Sequence, residues 1–95
     1  MQVKAAVQTA LEHVKSLYES ESLSNLGLEE VEFDDEAGKW LVTVGFSRPW
    51  DYPQNRIAEL ADTSLPKRSF KVVYIDDESQ SVRAVKNRDV SLATA

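Results

Sequence analysis

The sequence contains no cysteine, and among its 95 residues it has only one histidine, three glycines and three prolines. Without cysteine the chain can form neither disulfides nor thiolate metal sites, and it has no cysteine nucleophile. With so few glycines, a loop that wraps phosphates is hard to build, and neither a GxGxxG nor a Walker motif occurs. These absences argue against thiol-dependent and nucleotide-binding functions.

Long apolar runs are also missing. The first residues, MQVKAAVQTALEHVK, interrupt their apolar positions with Gln, Lys and Glu, so no stretch resembles a signal peptide or a membrane span. We therefore expect a soluble, cytoplasmic protein with no membrane partner. A chain of this length predicts one domain covering residues 1–95.

Charge is divided unevenly along the chain, whose net charge is −5. Residues 1–64 carry 12 acidic and 5 basic side chains, whereas residues 65–95 carry 4 and 6. An acidic surface repels phosphate backbones, so nucleic acid is not an expected partner unless the basic residues form a patch of their own. The alternative is that the acidic and basic segments pair across a sheet. The basic residues concerned are Lys67, Arg68, Lys71, Arg83, Lys86 and Arg88.

One helix is predicted at residues 1–19, because apolar side chains recur there with the three- and four-residue spacing of a single helical face. They occupy positions 3, 6, 7, 10, 11, 14, 17 and 18. Gly27, with the Ser- and Asn-containing stretch before it, predicts the end of the helical region. Such a helix needs an apolar surface to pack against.

Two β-hairpins are predicted, at residues 28–47 and 69–88. In WLVTVGF the apolar positions 40, 42, 44 and 46 alternate with a second set, which is the period of a half-buried strand. We expect the even-numbered residues of this strand to meet the helix. Gly38 supplies the positive φ that a tight turn requires.

The first strand of the second hairpin, SFKVVYI, has apolar residues in both alternating sets. We assign Phe70, Val72 and Tyr74 to the core face. The sheet face away from the helix then carries Val73 and Ile75, together with Leu41 of the first hairpin. Because an apolar open face tends to be covered, these last three are possible interface residues for a partner or a homodimer.

The two hairpins are joined by a loop at residues 48–68, in which Pro53 and the apolar positions that follow predict a short second helix at 53–62. Residues 89–95 are expected to form a frayed tail. The predicted fold class is α+β: an N-terminal helix packed on a four-stranded antiparallel sheet made of two hairpins.

Two motifs in these strands carry a family resemblance. Trp40 to Pro49 matches W-x-V-T-x-x-F-x-R-P, and Arg68 to Val72 matches R-x-[YF]-K-V. The pattern covers roughly residues 28–88 and resembles a group of small bacterial proteins of uncharacterised function. Where that group has glycine in the second hairpin turn, this chain has Gln80. The layout is also similar to cystatin-like and PepSY-like helix-on-meander domains, which implies a fold but no activity.

Catalytic and metal-binding constellations are not apparent. His13, the single histidine, has no Ser or Asp arrangement that would make it part of a triad. The acidic segments 34–36 and 76–78 lack the alternating ligand spacing of a calcium loop and are interpreted as solvated turns. We therefore predict no enzyme activity, no metal and no cofactor.

An aromatic stretch in the loop is the best candidate for a binding site. Trp50 and Tyr52 lie between two prolines, with Arg48 before them and Arg68 at the far end of the loop. They either cover a sheet edge or, with the two arginines, form an apolar patch with a polar rim. The leading hypothesis is a non-enzymatic module that binds a protein, or itself, through this loop and the open sheet face. The alternatives are a small-ligand pocket under the second helix and an acidic immunity- or antitoxin-type protein.

Overall fold

Helix α1 spans Val3–Leu17 and lies on one face of a β-sheet, within its predicted bounds. The computed structural model of the protein describes residues 1–51 and 68–88. The helix contacts the sheet through Ala6, Ala10 and Val14, which follow one another at four-residue intervals and are completely buried. Because two of these side chains are single methyl groups, the helix backbone lies close to the strands.

Four strands follow the helix: β1 (Ser24–Asp34), β2 (Lys39–Ser47), β3 (Ser69–Asp76) and β4 (Val82–Asn87). Each is antiparallel to the next, and the spatial order equals the chain order, so β2 and β3 are the central strands. A short 3₁₀ turn, Pro49–Asp51, follows β2. The predicted α+β fold, one N-terminal helix on a four-stranded antiparallel sheet of two hairpins, is confirmed.

Three predictions fall on residues outside the described ranges. They are the second helix at 53–62, the tail at 89–95 and the role of Tyr52. The ligand pocket proposed beneath that helix falls outside with it. For the part of the chain that is described, no helix has the length and apolar character needed to cross a membrane.

The core lies between α1 and the even-numbered residues of β2, as the alternation in β2 predicts. Val42, Val44 and Phe46 are completely buried, and Trp40, near the start of β2, is partly buried. The set of fully buried apolar residues comprises Ala6, Ala10, Val14, Val42, Val44, Phe46, Val73 and Ile75.

The prediction for β3 is wrong in its choice of faces. Val73 pairs with Val42, and Ile75 pairs with Trp40. Paired residues of antiparallel strands point to the same side, so Val73 and Ile75 face the helix, where both are completely buried. They therefore cannot form part of an interface on the open side.

The other set of β3 residues consequently lies away from the helix. Tyr74 pairs with Leu41, Val72 with Thr43 and Phe70 with Gly45. Leu41 lies on the side predicted for it, whereas Phe70 and Tyr74 do not belong to the core. The error has a physical reason: both sets in β3 are apolar, so only pairing with β2 distinguishes them.

The edge strand β1 begins four residues earlier than predicted and is irregular. Its pairing with β2 shifts between Ser24 and Gly27 and again between Leu28 and Glu30. Asn25 lies within the first shift and has a φ of 56°, a left-handed conformation that Asn tolerates better than most residues. The extra residues let β1 continue pairing up to Ser47 of β2.

Both hairpin turns contain a residue with positive φ. In the first turn this residue is Gly38, with a φ of 65°, as predicted. In the second turn it is Gln80, with a φ of 58°. The second turn therefore keeps the left-handed conformation that glycine would favour, although its side chain makes that conformation more costly.

Candidate binding surface

Arg48 and Trp50 lie on the side of the sheet that carries α1, beyond the C-terminal end of the helix. The guanidinium carbon of Arg48 lies 4.7 Å from the ring centre of Tyr18, 5.6 Å from that of Phe46 and 5.4 Å from that of Trp50. All three distances fall within the range of cation–π attraction. We call these four residues the aromatic corner.

The charge of Arg48 is also engaged by other groups. Its Nε atom lies 3.6 Å from Oε2 of Glu21. Tyr18 is the C-cap residue of α1, so the positive guanidinium lies near the negative end of the helix dipole. The indole of Trp50, in contrast, is 61% exposed. The aromatic corner thus holds its arginine and presents the tryptophan to solvent.

Arg68 lies on the opposite side of the sheet. Its Nη2 atom donates to Oε1 of Glu29 at 2.8 Å, and its Nη1 atom donates to the carbonyl oxygen of Asn25 at 2.8 Å. Both contacts join the start of β3 to the edge strand β1. Arg48 and Arg68 therefore do not flank one common patch, contrary to the sequence-based hypothesis.

Gly45 makes room for this arginine. A Cβ atom added there would lie 2.6 Å from Nη2 of Arg68, 2.8 Å from Oε1 of Glu29 and 3.1 Å from a ring carbon of Phe70. These separations are shorter than van der Waals contact allows. The lack of a side chain in the middle of β2 thus permits the Arg68–Glu29 pair to lie across the strand.

A second arginine, Arg88, crosses the same side. Its backbone N–H donates to the carbonyl oxygen of Phe70 at 3.0 Å, which places it just after β4. Its Nη1 atom donates to Oγ1 of Thr43 at 3.0 Å and lies 3.1 Å from Oε2 of Glu30. The side chain therefore reaches from β4 across both central strands to β1.

We define the open face as the sheet surface away from α1. It is formed by these residues, given from β1 to the end of β4: Glu29, Glu30, Glu32, Leu41, Thr43, Gly45, Phe70, Val72, Tyr74, Ala84, Lys86 and Arg88. A shallow depression of about 360 Å³ lies on it, with Leu41, Val72 and Tyr74 among its lining. The Nζ atom of Lys86 lies 5.1 Å from the ring centre of Tyr74.

A second depression lies on the helix side, between α1 and β1. It has a volume of about 510 Å³, its floor is formed by Val7, Leu11 and Leu26, and its rim includes Lys4 and Lys15. Its lining is more apolar than that of the open face. It is the flank of the helix that β1 leaves uncovered.

The two acidic turns lie side by side at one end of the sheet. The backbone N–H of Asp77 donates to the carbonyl oxygen of Gly38 at 3.0 Å and so joins the turns. The Asp77 carboxylate accepts hydrogen bonds from Nε1 of Trp40 at 2.8 Å and from the Met1 ammonium at 3.0 Å. These bonds, the Trp40 bond foremost, lower the pKa of Asp77.

Asp76 has a comparable structural role. Its carboxylate accepts hydrogen bonds from the backbone N–H and from the hydroxyl of Ser79, and these bonds lower its pKa. Among residues 1–51 and 68–88, no three acidic or histidine side chains are grouped so that they could hold a metal ion. The carboxylates of this turn stabilise its shape.

Sequence reasoning identified part of this surface. Leu41 was placed on the open face correctly, and Arg68 and Arg88 were recognised as members of a basic set. The partners of the two arginines, Glu29 and Glu30, were missed because pairing between distant strands fixes those contacts. The sequence feature that could have indicated a polar contact on this face is Thr43, a polar residue in the middle of an apolar strand.

The chain was compared with protein-family models, with curated proteins and with solved structures, and none of these matches it. The resemblance to a group of small bacterial proteins therefore stays a prediction.

Proposed function

We propose that the protein is a small non-enzymatic module that binds another protein or a second copy of itself, and that the open face is its binding surface. The observation that supports this proposal is the position of Leu41 and Tyr74, which lie side by side in the centre of a sheet face that no helix or strand within residues 1–51 and 68–88 covers. Apolar and aromatic side chains surrounded by charged ones are the composition of protein interfaces.

The state of the titratable groups agrees with a binding role. Hydrogen bonds from Ser79 within the turn lower the pKa of Asp76, and hydrogen bonds from Trp40 and the Met1 ammonium lower the pKa of Asp77. A catalytic group, by comparison, is usually shifted within a cleft where a substrate is held. The absence of cysteine from the sequence fits a reducing compartment, and we propose the cytoplasm.

The exposed indole of Trp50 is a second candidate contact. Tryptophan contributes strongly to interface energies when a partner buries it. Since Trp50 lies on the helix side, a partner on the open face would have to extend around the end of the sheet to reach it. We therefore assign the main binding role to the open face and a peripheral one to Trp50.

Nucleic acid is a competing partner, because Phe70 and Tyr74 share the open face with Lys86 and Arg88. RNA-binding sheets combine exposed aromatic rings with basic side chains in this way. Here, however, the carboxylate of Glu30 already engages Arg88, and further glutamates line β1. The charge of this surface favours a protein partner.

Photo-crosslinking in the cells that produce the protein would test the proposal. With p-benzoylphenylalanine at position 41, we expect a protein adduct that mass spectrometry identifies and that is lost when Tyr74→Asp is added. The control places the same probe at position 16, which is exposed on α1. No adduct at position 41, the same adducts at both positions, or an adduct with nucleic acid would each contradict the proposal.

A further inference from the structure

We propose, resting on the binding role of the open face, that its partner is a second copy of this chain. The two copies would pack open face against open face about a two-fold axis that runs parallel to the strands, between β2 and β3. Three observations lead to this arrangement: the pairing register of the central strands, the distribution of charge between the two edges, and the irregularity of those edges.

The register makes the apolar centre self-complementary. Leu41 of β2 and Tyr74 of β3 are direct partners in one row, and Thr43 and Val72 are partners in another row. A two-fold axis between the central strands places β2 of one copy over β3 of the other. Each Leu41 then meets the Tyr74 ring of the second copy, and each Thr43 meets Val72.

Charge selects the direction of the axis. Glu32 lies on the open face of β1, and Lys86 lies on the open face of β4. Within residues 1–51 and 68–88 neither side chain forms an ion pair, whereas Glu29 and Glu30 are paired with arginines. An axis parallel to the strands puts β1 over β4. Each Glu32 then lies over Ala84 of the second copy, two residues along β4 from Lys86, a separation of about 7 Å that two long side chains can span.

The perpendicular choice of axis has the opposite effect. It would put β1 over β1, and the glutamates of the two copies would repel one another. The acidic and basic edges thus favour one of the two symmetric ways of stacking these faces. A closed two-fold pair is also the commonest form of self-association in soluble proteins.

Association through the strand edges is less favourable than association through the face. The pairing of β1 is interrupted twice, and that of β4 is interrupted between Tyr74 and Ile75. Such bulges twist an edge away from the straight geometry that edge-to-edge pairing needs. The pairing of the two central strands, which form the middle of the open face, has no such interruption.

The expected affinity is low. Four strands spaced about 4.8 Å apart and about five residues long provide a surface of roughly 300 Å² per copy. This is less than half of the roughly 800 Å² that stable complexes bury on each partner, so weak and transient association is expected. Measurements must therefore extend to about 1 mM protein.

Charge exchange tests the inference. Sedimentation velocity of the wild type should show a monomer–dimer equilibrium, and Glu32→Lys and Lys86→Glu should each weaken it by about fivefold or more. The double variant E32K/K86E should recover most of the wild-type affinity. The controls Asp35→Lys and Lys4→Glu make the same changes in charge at exposed positions outside the open face and should have little effect.

Three results would overturn the inference: a wild type that remains monomeric at about 1 mM, equal weakening by the control variants, or failure of the double variant to recover. The crosslink from position 41 separates these failures from failure of the proposed function. An adduct with a different protein, together with a monomeric wild type, would overturn the dimer and leave the binding role intact. The absence of any adduct and of any dimer would overturn both.

Discussion

The two faces of the sheet are built in different ways from the same strands. On the helix side, Val42, Phe46 and Val73 are completely buried against the small residues of α1. On the open side, Arg68 and Arg88 extend over the strands and pair with glutamates of β1. Apolar burial therefore stabilises one face, whereas hydrogen bonds and ion pairs between strands order the other. Within residues 1–51 and 68–88, contacts between strands therefore order the open face where no second layer of helix or strand lies on it.

The largest expected effect separates two phenylalanines that lie near each other on opposite faces. Phe46→Ala removes a completely buried ring that also lies 5.4 Å from the ring of Tyr18, so we expect a loss of about 3 to 5 kcal/mol in the free energy of unfolding. Phe70→Ala, on the open face, should cost about 1 to 2 kcal/mol. Urea unfolding measures both. Equal losses would contradict the assignment of the two faces.

Two neighbouring valines provide a finer test. Val73→Thr places a hydroxyl in the core without a partner and should cost about 1 to 3 kcal/mol. Val72→Thr makes the same change on the open face, where the residue is only 9% exposed but pairs with Thr43, so the new hydroxyl has a polar neighbour; the cost should be less than about 1 kcal/mol. Chemical denaturation of the two variants under identical conditions gives the comparison. A larger cost at Val72 would mean that the strand faces are reversed.

The faces of β2 and β3 differ in how well they can be predicted from the sequence. The faces of β2 are predictable because its odd positions include Thr43, Gly45 and Ser47, which contrast with the apolar even positions. In β3, the adjacent positions 72 and 73 are both valine, and the aromatic residues Phe70 and Tyr74 lie in the even-numbered set. Periodicity then gives no answer, and pairing with β2 determines the faces.

The binding surface was less predictable than the fold. The engagement of Arg48 by Tyr18 depends on where the helix ends relative to β2, and the engagement of Arg68 depends on a bulge in β1. Both contacts join residues that are distant in sequence. Composition could identify the arginines as candidates, but their partners follow from the register of the sheet.

A moderate loss of stability is expected from changing Gly45. It tests how much the Arg68–Glu29 ion pair contributes on the open face. Gly45→Ala would displace the Arg68–Glu29 pair and should lower the free energy of unfolding by about 1 kcal/mol. Arg68→Met should have a similar effect alone and almost none when added to Gly45→Ala. A double-mutant cycle by urea unfolding measures this coupling. Fully additive losses would show that the two residues act independently.

The smallest expected effect is on the pH dependence of stability, and it concerns Asp77 in the turn that follows β3. Because the pKa of Asp77 is lowered from its ordinary value of 3.8, its carboxylate stabilises the folded state above about pH 4, and this contribution is lost as the pH falls below that ordinary value and through the lowered pKa. Asp77→Asn should therefore reduce the dependence of stability on pH in that range. Trp40→Phe, which removes the indole donor, should reduce it as well. Thermal unfolding at about five pH values between about pH 2 and about pH 6 would measure this reduced dependence. An unchanged slope in both variants would refute this assignment.

The position of β2 has a further consequence for folding and aggregation. The segment from Trp40 to Ser47 contains no charged residue and is rich in β-branched and aromatic side chains, a composition that favours fibril formation when a strand is exposed. In the folded chain β1 and β3 occupy both of its edges. Before folding, the charges of Lys39 and Arg48 directly flank the segment and oppose its aggregation. Any change that delays the pairing of β2 with β1 or with β3 therefore exposes this aggregation-prone segment.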